Sequence, residues 1–148
     1  MRDLLTKTER SALMAKVRSR ENKSTEKAVE QVLVLEEIRG WIKHPKAILG
    51  RPDFYFPRNR LALFIDGCFW HGCPLCQRRI PSTRMDFWRH KIGENRRRDK
   101  RVRRKLRSQG FHAMSVWEHD LLGKGWLKRL RTLLLRSIAR PHKPISHP

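Results

Sequence analysis

The sequence predicts one α/β or α+β domain with a small mixed sheet, and three observations support this. Its 148 residues suit a single domain and are enough to bury a core without staples. Short apolar runs, typical of strands, are separated by longer segments with apolar residues at helical spacing. These segments follow one another in the order α-α-β-β-α-β-α, without an internal repeat.

Two helices are expected before the first strand. Apolar residues at helical spacing predict a short helix over about 8–19, followed by a loop at 20–23. Ser24 can cap a second helix over about 25–38. We therefore expect an N-terminal basic arm over 1–23, ahead of the main domain.

A hairpin is expected next. Asp53-Phe54-Tyr55-Phe56 and Leu61 to Ile65 read as two strands, and Pro57 to Arg60 form a turn between them. A connection of four residues favours antiparallel pairing of the two strands.

The C-terminal half predicts a helix, a strand and a closing helix. The long helix runs from about 84 to 108, with a break near Gly93 left open and Gly110 as its stop. A strand over 111–117 and an amphipathic helix over 126–138 follow. The main domain thus spans 24–139, and the proline-containing tail over 140–148 is expected to be disordered.

Charge indicates the class of partner. Lys and Arg number 35 against 14 Asp and Glu, a formal net charge of +21. Such an Arg-rich excess favours nucleic acid as the polyanionic partner. No long apolar run or basic amphipathic anchor suggests a membrane. The first six residues lack the apolar core of a signal peptide, so a cytoplasmic location is the default expectation.

All three cysteines lie in the eleven residues from Asp66 to Cys76. Cys68, Cys73 and Cys76 are separated by four and two residues, which in a reducing compartment indicates metal ligands rather than disulfides. Zinc needs a fourth ligand, and His119 is the best candidate, although His71 and His112 could compete. The alternative is three buried cysteines without a metal.

The hairpin can also assemble a second metal site. Asp53 begins its first strand and Asp66 follows its second, and both are oxygen ligands suited to Mg²⁺. His71 is close in sequence and could act as a base for phosphodiester hydrolysis. Each acid alone could equally be a turn residue or a strand-end cap.

The chain resembles the very short patch repair endonucleases, which nick DNA at thymine–guanine mismatches left by deamination of 5-methylcytosine. The resemblance runs from about Ser11 to Leu121. It implies a restriction-endonuclease-like core and a monomer that acts on mismatched double-stranded DNA with mismatch-repair proteins and a DNA polymerase downstream. The anchors are Thr25-Glu26, Gly50-Arg51-Pro52-Asp53-Phe54, Gly67-Cys68-Phe69-Trp70-His71, Phe87-Trp88, Lys91-Ile92-Gly93, Asn95, Asp99 and Val116-Trp117-Glu118.

The resemblance assigns roles to matching residues. Asp53 is similar to the catalytic metal-binding acid, and the backbone carbonyl of Ile65 would be the second Mg²⁺ ligand. His71 matches the general base, and Glu26 matches an acid that supports the site through water on the metal. Asp99 matches a polar position of the long helix near the metal and DNA.

Alternatives stay open for two acids. Asp99 could instead form a helical ion pair with Arg103 at i+4. Asp66 stands where the best-known family pattern has histidine, and its role is open.

The zinc ligands also depart from the family order. Cys68 matches directly, whereas His119 falls where the family has cysteine. The additional loop cysteine leaves a plausible set of three cysteines and one histidine for a structural zinc.

The resemblance further implies how DNA would be held. Phe69, Trp70 and Trp88 would be wedges inserted beside the mismatch, although core packing is the ordinary role of such aromatics. The basic run 96–107 would contact phosphates, unless it is only a solvated helix face. The predicted DNA-binding set is Phe69, Trp70, Trp88, Asn95, Arg96 and Arg97, together with the arm over 1–23.

Two other functions fit the same residues. One is a related nuclease with another lesion or sequence preference. The other is a zinc-stabilised nucleic-acid-binding protein without turnover. Acids beside a polyanion favour catalysis over simple binding, so we expect a Mg²⁺-dependent strand-nicking endonuclease with a structural Zn²⁺.

Overall fold

The computed structural model describes residues 6–76 and 78–138. They divide into two compact units between Ile38 and Arg39. The predicted disordered tail over 140–148 lies outside the described residues. Among those residues, no helix is long and apolar enough to cross a membrane.

The first unit is one long helix, α1 (Lys7–Leu35). Thr6 and Glu9 form a capping box: the Thr6 hydroxyl accepts from the Glu9 N–H at 3.3 Å, and Glu9 accepts from the Thr6 N–H at 2.8 Å. The predicted loop at 20–23 is wrong, because Arg20-Glu21-Asn22-Lys23 contains neither glycine nor proline to interrupt a helix. The domain limits predicted from the sequence stay a prediction.

The second unit is built on a mixed sheet, as predicted. Within the described residues its strand order is β1 (Ile42–Lys43), β2 (Phe54–Phe56), β3 (Leu61–Asp66) and β4 (His112–Trp117). Strands β1, β2 and β3 pair antiparallel, which confirms the hairpin, whereas β3 and β4 pair parallel. The sequence analysis missed β1, since two exposed residues carry no alternating pattern.

Two helices flank the sheet. Helix α2 (Met85–Ser108) continues through Gly93 without a break. It stops before Gly110, which has a φ of +81° and donates to the carbonyl of Arg107. Helix α3 (Gly125–Ile138) closes the unit. The buried core includes Phe54, Phe56, Leu61, Leu63, Leu106, Met114, Val116, Trp126 and Leu130.

The parallel pairing of β3 and β4 positions the functional residues. Asp66 at the end of β3 lies opposite Trp117 at the end of β4. The segments that follow both strands therefore leave the sheet at the same edge. The four-stranded mixed sheet of the described residues does not by itself establish a restriction-endonuclease-like fold, which stays a prediction.

Candidate functional site

Four predicted zinc ligands converge at this edge of the sheet. The Nδ1 atom of His119 lies 3.3 Å from the Sγ of Cys68, 3.6 Å from that of Cys73 and 3.2 Å from that of Cys76. All four ligand atoms lie within 4.8 Å of one another. Three thiols and one imidazole are a donor set typical of tetrahedral structural zinc.

Backbone contacts hold the cysteine loop in place. The Cys73 N–H donates to the Cys68 carbonyl at 2.9 Å, which closes a turn around the first two sulfurs. The Cys68 N–H donates to a carboxylate oxygen of Glu118 at 3.2 Å. Arg78 pairs with that same oxygen at 3.4 Å. Glu118 thereby ties the loop after β3 to the segment that carries His119.

The pKa values of two thiols in the cluster are shifted in opposite directions. Burial raises the pKa of the Cys68 thiol to about 12, and zinc would reverse this because it binds the thiolate. Burial also raises the pKa of Cys73, but hydrogen bonds from the Cys76 and Leu75 N–H groups outweigh it and lower that pKa overall. The Nε2 atom of His119 lies 3.2 Å from Asp120, which orients the ring with Nδ1 towards the sulfurs.

The two histidines considered as competitors lie elsewhere. His71 contacts acids rather than the sulfurs, and His112 is exposed at the start of β4. The structure therefore supports His119, and not His71 or His112, as the histidine that joins the three cysteines.

Asp53 lies beside the end of β3. Its Oδ2 atom accepts a hydrogen bond from the Ile65 N–H at 2.6 Å. The antiparallel register, in which Phe54 pairs with Leu63, accounts for this contact. The structure thus brings the Asp53 carboxylate to the backbone of Ile65, through the N–H and not through the carbonyl that is the predicted ligand. Their roles as Mg²⁺ ligands stay a prediction.

His71 and Asp99 form a second cluster with Asp66. The Nδ1 atom of His71 contacts Oδ2 of Asp99 and lies 3.9 Å from Oδ1 of Asp66. Burial raises the pKa of Asp99, but the hydrogen bond and charge of His71 and the nearby Arg103 and Arg98 hold it below its usual value. An ionised carboxylate only accepts hydrogen bonds, so Nδ1 of His71 carries the hydrogen. In the neutral ring, Nε2 is then the basic nitrogen.

Arg103 forms its hydrogen bonds with Asp66 and acts on Asp99, the alternative i+4 partner, through its charge. Its Nη2 donates to both carboxylate oxygens of Asp66, at 2.7 and 2.6 Å. Asp66 is only 3% exposed, and a buried carboxylate needs such a cation. The available sequence signal for this ion pair was the position of Asp66 at the end of a buried strand. A carboxylate there is expected to need a cation from the helix that packs against the strand end.

The predicted wedge residues form one aromatic cluster. Ring centroids of Phe69 and Trp88 lie 5.7 Å apart, and those of Trp70 and Trp88 lie 6.0 Å apart. Trp70 is buried, whereas Phe69 and Trp88 are partly exposed. Buried Asn95 donates to the Trp70 carbonyl at 2.9 Å, so in this structure it positions the loop. Its predicted DNA contact stays a prediction.

The loop that carries His71 packs closely against α2. A Cβ atom on Gly72, whose φ is +61°, would lie 2.7 Å from a methyl carbon of Ile92. No other residue type fits this approach without a shift. Arg96 and Arg97 are exposed on α2 beside this contact, as phosphate-binding residues must be.

Glu26 lies in α1, in the first unit, where it is partly buried. Its supporting role stays a prediction.

Comparisons with known proteins identify the family. A family model described as DNA mismatch endonuclease Vsr matches residues 2–78. Type II nicking enzyme V.XorIIP of Xanthomonas oryzae pv. oryzae is 42% identical over 137 residues, which cover 90% of this chain and 98% of that protein. Type II nicking enzyme V.NmeAIP of Neisseria meningitidis is 34% identical over 138 residues, 93% of this chain and 97% of that protein.

DNA mismatch endonuclease Vsr of Escherichia coli is 33% identical over 124 residues, which cover 84% of this chain and 78% of that protein. The family model matches the part of the chain that carries Asp53, His71 and the three cysteines. The chain therefore belongs to the Vsr family of DNA mismatch endonucleases.

Proposed function

We propose that this protein nicks one strand of duplex DNA at thymine–guanine mismatches by Mg²⁺-dependent phosphodiester hydrolysis. The contact between His71 and Asp99 carries this proposal. It leaves the other ring nitrogen of His71 free to act as a base near the end of β3, where Asp53 also lies. A DNA-binding protein without turnover has no need for such a pair. Membership of the family and the net charge of +21 support DNA as the substrate.

Each protein group has a distinct task in this reaction. Asp99 holds the Nδ1 hydrogen of His71, so that Nε2 can accept a proton from the attacking water. Asp53 and the carbonyl of Ile65 would hold Mg²⁺, with Glu26 of α1 in support. When bound, the ion supplies positive charge that stabilises the negative charge developing on the phosphate.

The zinc cluster would serve structure rather than chemistry. Four protein ligands leave no open position for a substrate, which is the arrangement of a structural site. The loop that it would fix also carries Phe69, Trp70 and His71. Zinc at Cys68, Cys73, Cys76 and His119 would therefore align the aromatic wedge and the base on one DNA step.

The aromatic cluster would recognise weakened stacking. Insertion of a side chain between base pairs costs a few kcal/mol per step, and a mismatch lowers that cost. Phe69 and Trp88 are the more accessible members, and Trp70 lies behind them. Arg96 and Arg97 would add contacts to phosphates that carry no sequence information.

A second candidate is a nuclease of the same mechanism with another lesion or flanking-sequence preference. It is favoured by the two relatives that are named nicking enzymes rather than mismatch endonucleases. Mismatch-repair proteins and a DNA polymerase would then act after the nick in either case.

A single-turnover nicking assay tests the mechanism. End-labelled duplex with one thymine–guanine pair is incubated with wild type, Asp53→Ala or His71→Ala, with and without Mg²⁺. Glu94→Gln, an exposed acid of α2, is the matched control. We expect Mg²⁺-dependent nicking by wild type and the control, and loss of at least about 10³-fold in both site variants. Nicking by Asp53→Ala at the wild-type rate would contradict the mechanism.

A further inference from the structure

Asp66 and Arg103 form an ion pair inside the domain, next to the proposed base. Both oxygens of Asp66 accept from Nη2 of Arg103. The guanidinium lies 5.3 Å from the centroid of the Phe64 ring, and 18% of the Arg103 side chain is exposed. Unlike its neighbours Arg101 and Arg104, which are exposed, Arg103 is therefore held inwards.

His71 stands between two carboxylates and has one hydrogen on Nδ1 to share. Asp99 is in contact with that nitrogen, and Oδ1 of Asp66 lies 3.9 Å from it. A small rotation of the ring or of Asp66 would exchange one partner for the other. Both oxygens of Asp66 are already bound by Arg103, which reduces their capacity to accept a hydrogen bond from the ring.

We infer that Arg103 is a positioning residue that keeps Asp66 from competing with Asp99 for Nδ1 of His71. Arg103 follows Asp99 by one helical turn, so α2 supplies both the partner of His71 and the cation that occupies the competing acid. The inference rests on the proposed function only where it calls His71 the base. The other part of the inference, that Arg103 determines which carboxylate His71 contacts, does not depend on DNA or on nicking activity.

A direct role of Arg103 on a DNA phosphate is the alternative, and a rescue experiment separates the two. Arg103→Gln frees Asp66 and lowers the single-turnover nicking rate about 10- to 100-fold, with little change in the duplex concentration for half-maximal rate. The double variant Asp66→Asn/Arg103→Gln removes the competing charge and recovers most of the rate. A double variant as slow as Arg103→Gln would overturn the inference.

The second readout needs no activity. Nitrogen-15 NMR of the histidine rings, with His71 assigned from the spectrum of His71→Gln, reports the hydrogen bonding of Nδ1 through its chemical shift. We expect Nδ1 to carry the hydrogen in every variant, with a shifted Nδ1 signal in Arg103→Gln, where the partner changes, and the wild-type signal in the double variant. If wild type nicks no mismatched DNA but this pattern holds, only the proposed function fails.

Folding of the variants is checked by circular dichroism. Should Arg103→Gln not fold, the comparison is made between Arg103→Lys, which keeps the charge, and the folded double variant. Both are expected to retain the wild-type His71 signal. A shifted His71 signal in the folded double variant, or an unshifted one in folded Arg103→Gln, contradicts the inference.

Discussion

The Sγ atom of Cys68 lies 3.3 Å from Nδ1 of His119, although 51 positions separate the two residues in the chain. The parallel pairing of β3 and β4 accounts for this approach, because both residues follow the ends of adjacent strands. A metal held by ligands from two separate loops would tie them together, in addition to the contact that Glu118 makes. Zinc content and stability should therefore change together.

Replacing His119 with alanine should abolish stoichiometric zinc. Wild type is expected to carry about one zinc per chain, and His119→Ala much less, with a lower melting temperature. His119→Cys keeps a four-ligand set and should retain the metal. Metal analysis of purified protein measures both, with exposed His112→Ala as control. Well-folded wild type without zinc would contradict the assignment.

Asp99→Asn should weaken catalysis and lower the stability of the protein near neutral pH. The amide can no longer hold the Nδ1 hydrogen of His71 as a charged acceptor, so the nicking rate should fall about 10- to 100-fold. The matched variant Glu94→Gln alters an exposed acid of the same helix and should leave the rate unchanged.

The pH dependence of stability follows from the lowered pKa of Asp99. The stabilisation that accompanies a depressed carboxyl pKa is fully present above the usual value of 3.8 and is lost as pH falls below it. Urea unfolding at about pH 5, where Asp99 is ionised, should thus show a difference in free energy between wild type and Asp99→Asn. That difference should shrink below pH 3.8. A difference that stays undiminished well below pH 3.8 would contradict the assigned ionisation.

Trp88→Ala should reduce recognition of the mismatch. Stacking of an aromatic side chain on a base contributes about 1–3 kcal/mol, so binding to mismatched duplex should weaken about 5- to 150-fold. Binding to matched duplex should weaken less, because wedging there is opposed by intact stacking. Fluorescence anisotropy with catalytically inactive Asp53→Ala as background measures both. Equal losses on the two duplexes would assign Trp88 to general affinity only.

The exposed arginines of α2 should determine the salt dependence of binding. Each phosphate contact contributes about 0.9 to the slope of log affinity against log salt. Replacing Arg96 and Arg97 with glutamine should thus lower the slope by nearly two. Lys124→Gln/Lys128→Gln changes the net charge equally near α3 and is the control. An identical loss of slope in the control would show that net charge alone matters.

The sequence predicted those features that depend on local pattern. The apolar runs that form β2 and β3, the stop at Gly110 and the choice of His119 all follow from spacing, turn chemistry or ligand chemistry. Parallel pairing with β4 was not specified, although it is what joins the cysteine loop to His119.

The contacts that the sequence did not specify are side-chain contacts that depend on tertiary packing. Arg103 follows Asp99 by four residues, a spacing that permits an ion pair on a helix. It binds the buried carboxylate of Asp66 instead. Asn95 reads as a polar helix residue, yet it is buried against the Trp70 carbonyl. No local pattern distinguishes these outcomes, since they depend on where α2 crosses the end of β3.

The most direct test of the proposed function is the nicking rate on two duplexes that differ at one pair. One carries thymine opposite guanine and the other thymine opposite adenine, in the same flanking sequence with Mg²⁺ present. We predict rapid nicking of one strand of the mismatched duplex by wild type, at least about 100-fold faster than of the matched duplex. Equal rates on the two duplexes, or no nicking of the mismatched one across varied flanking sequences, would contradict a thymine–guanine mismatch endonuclease.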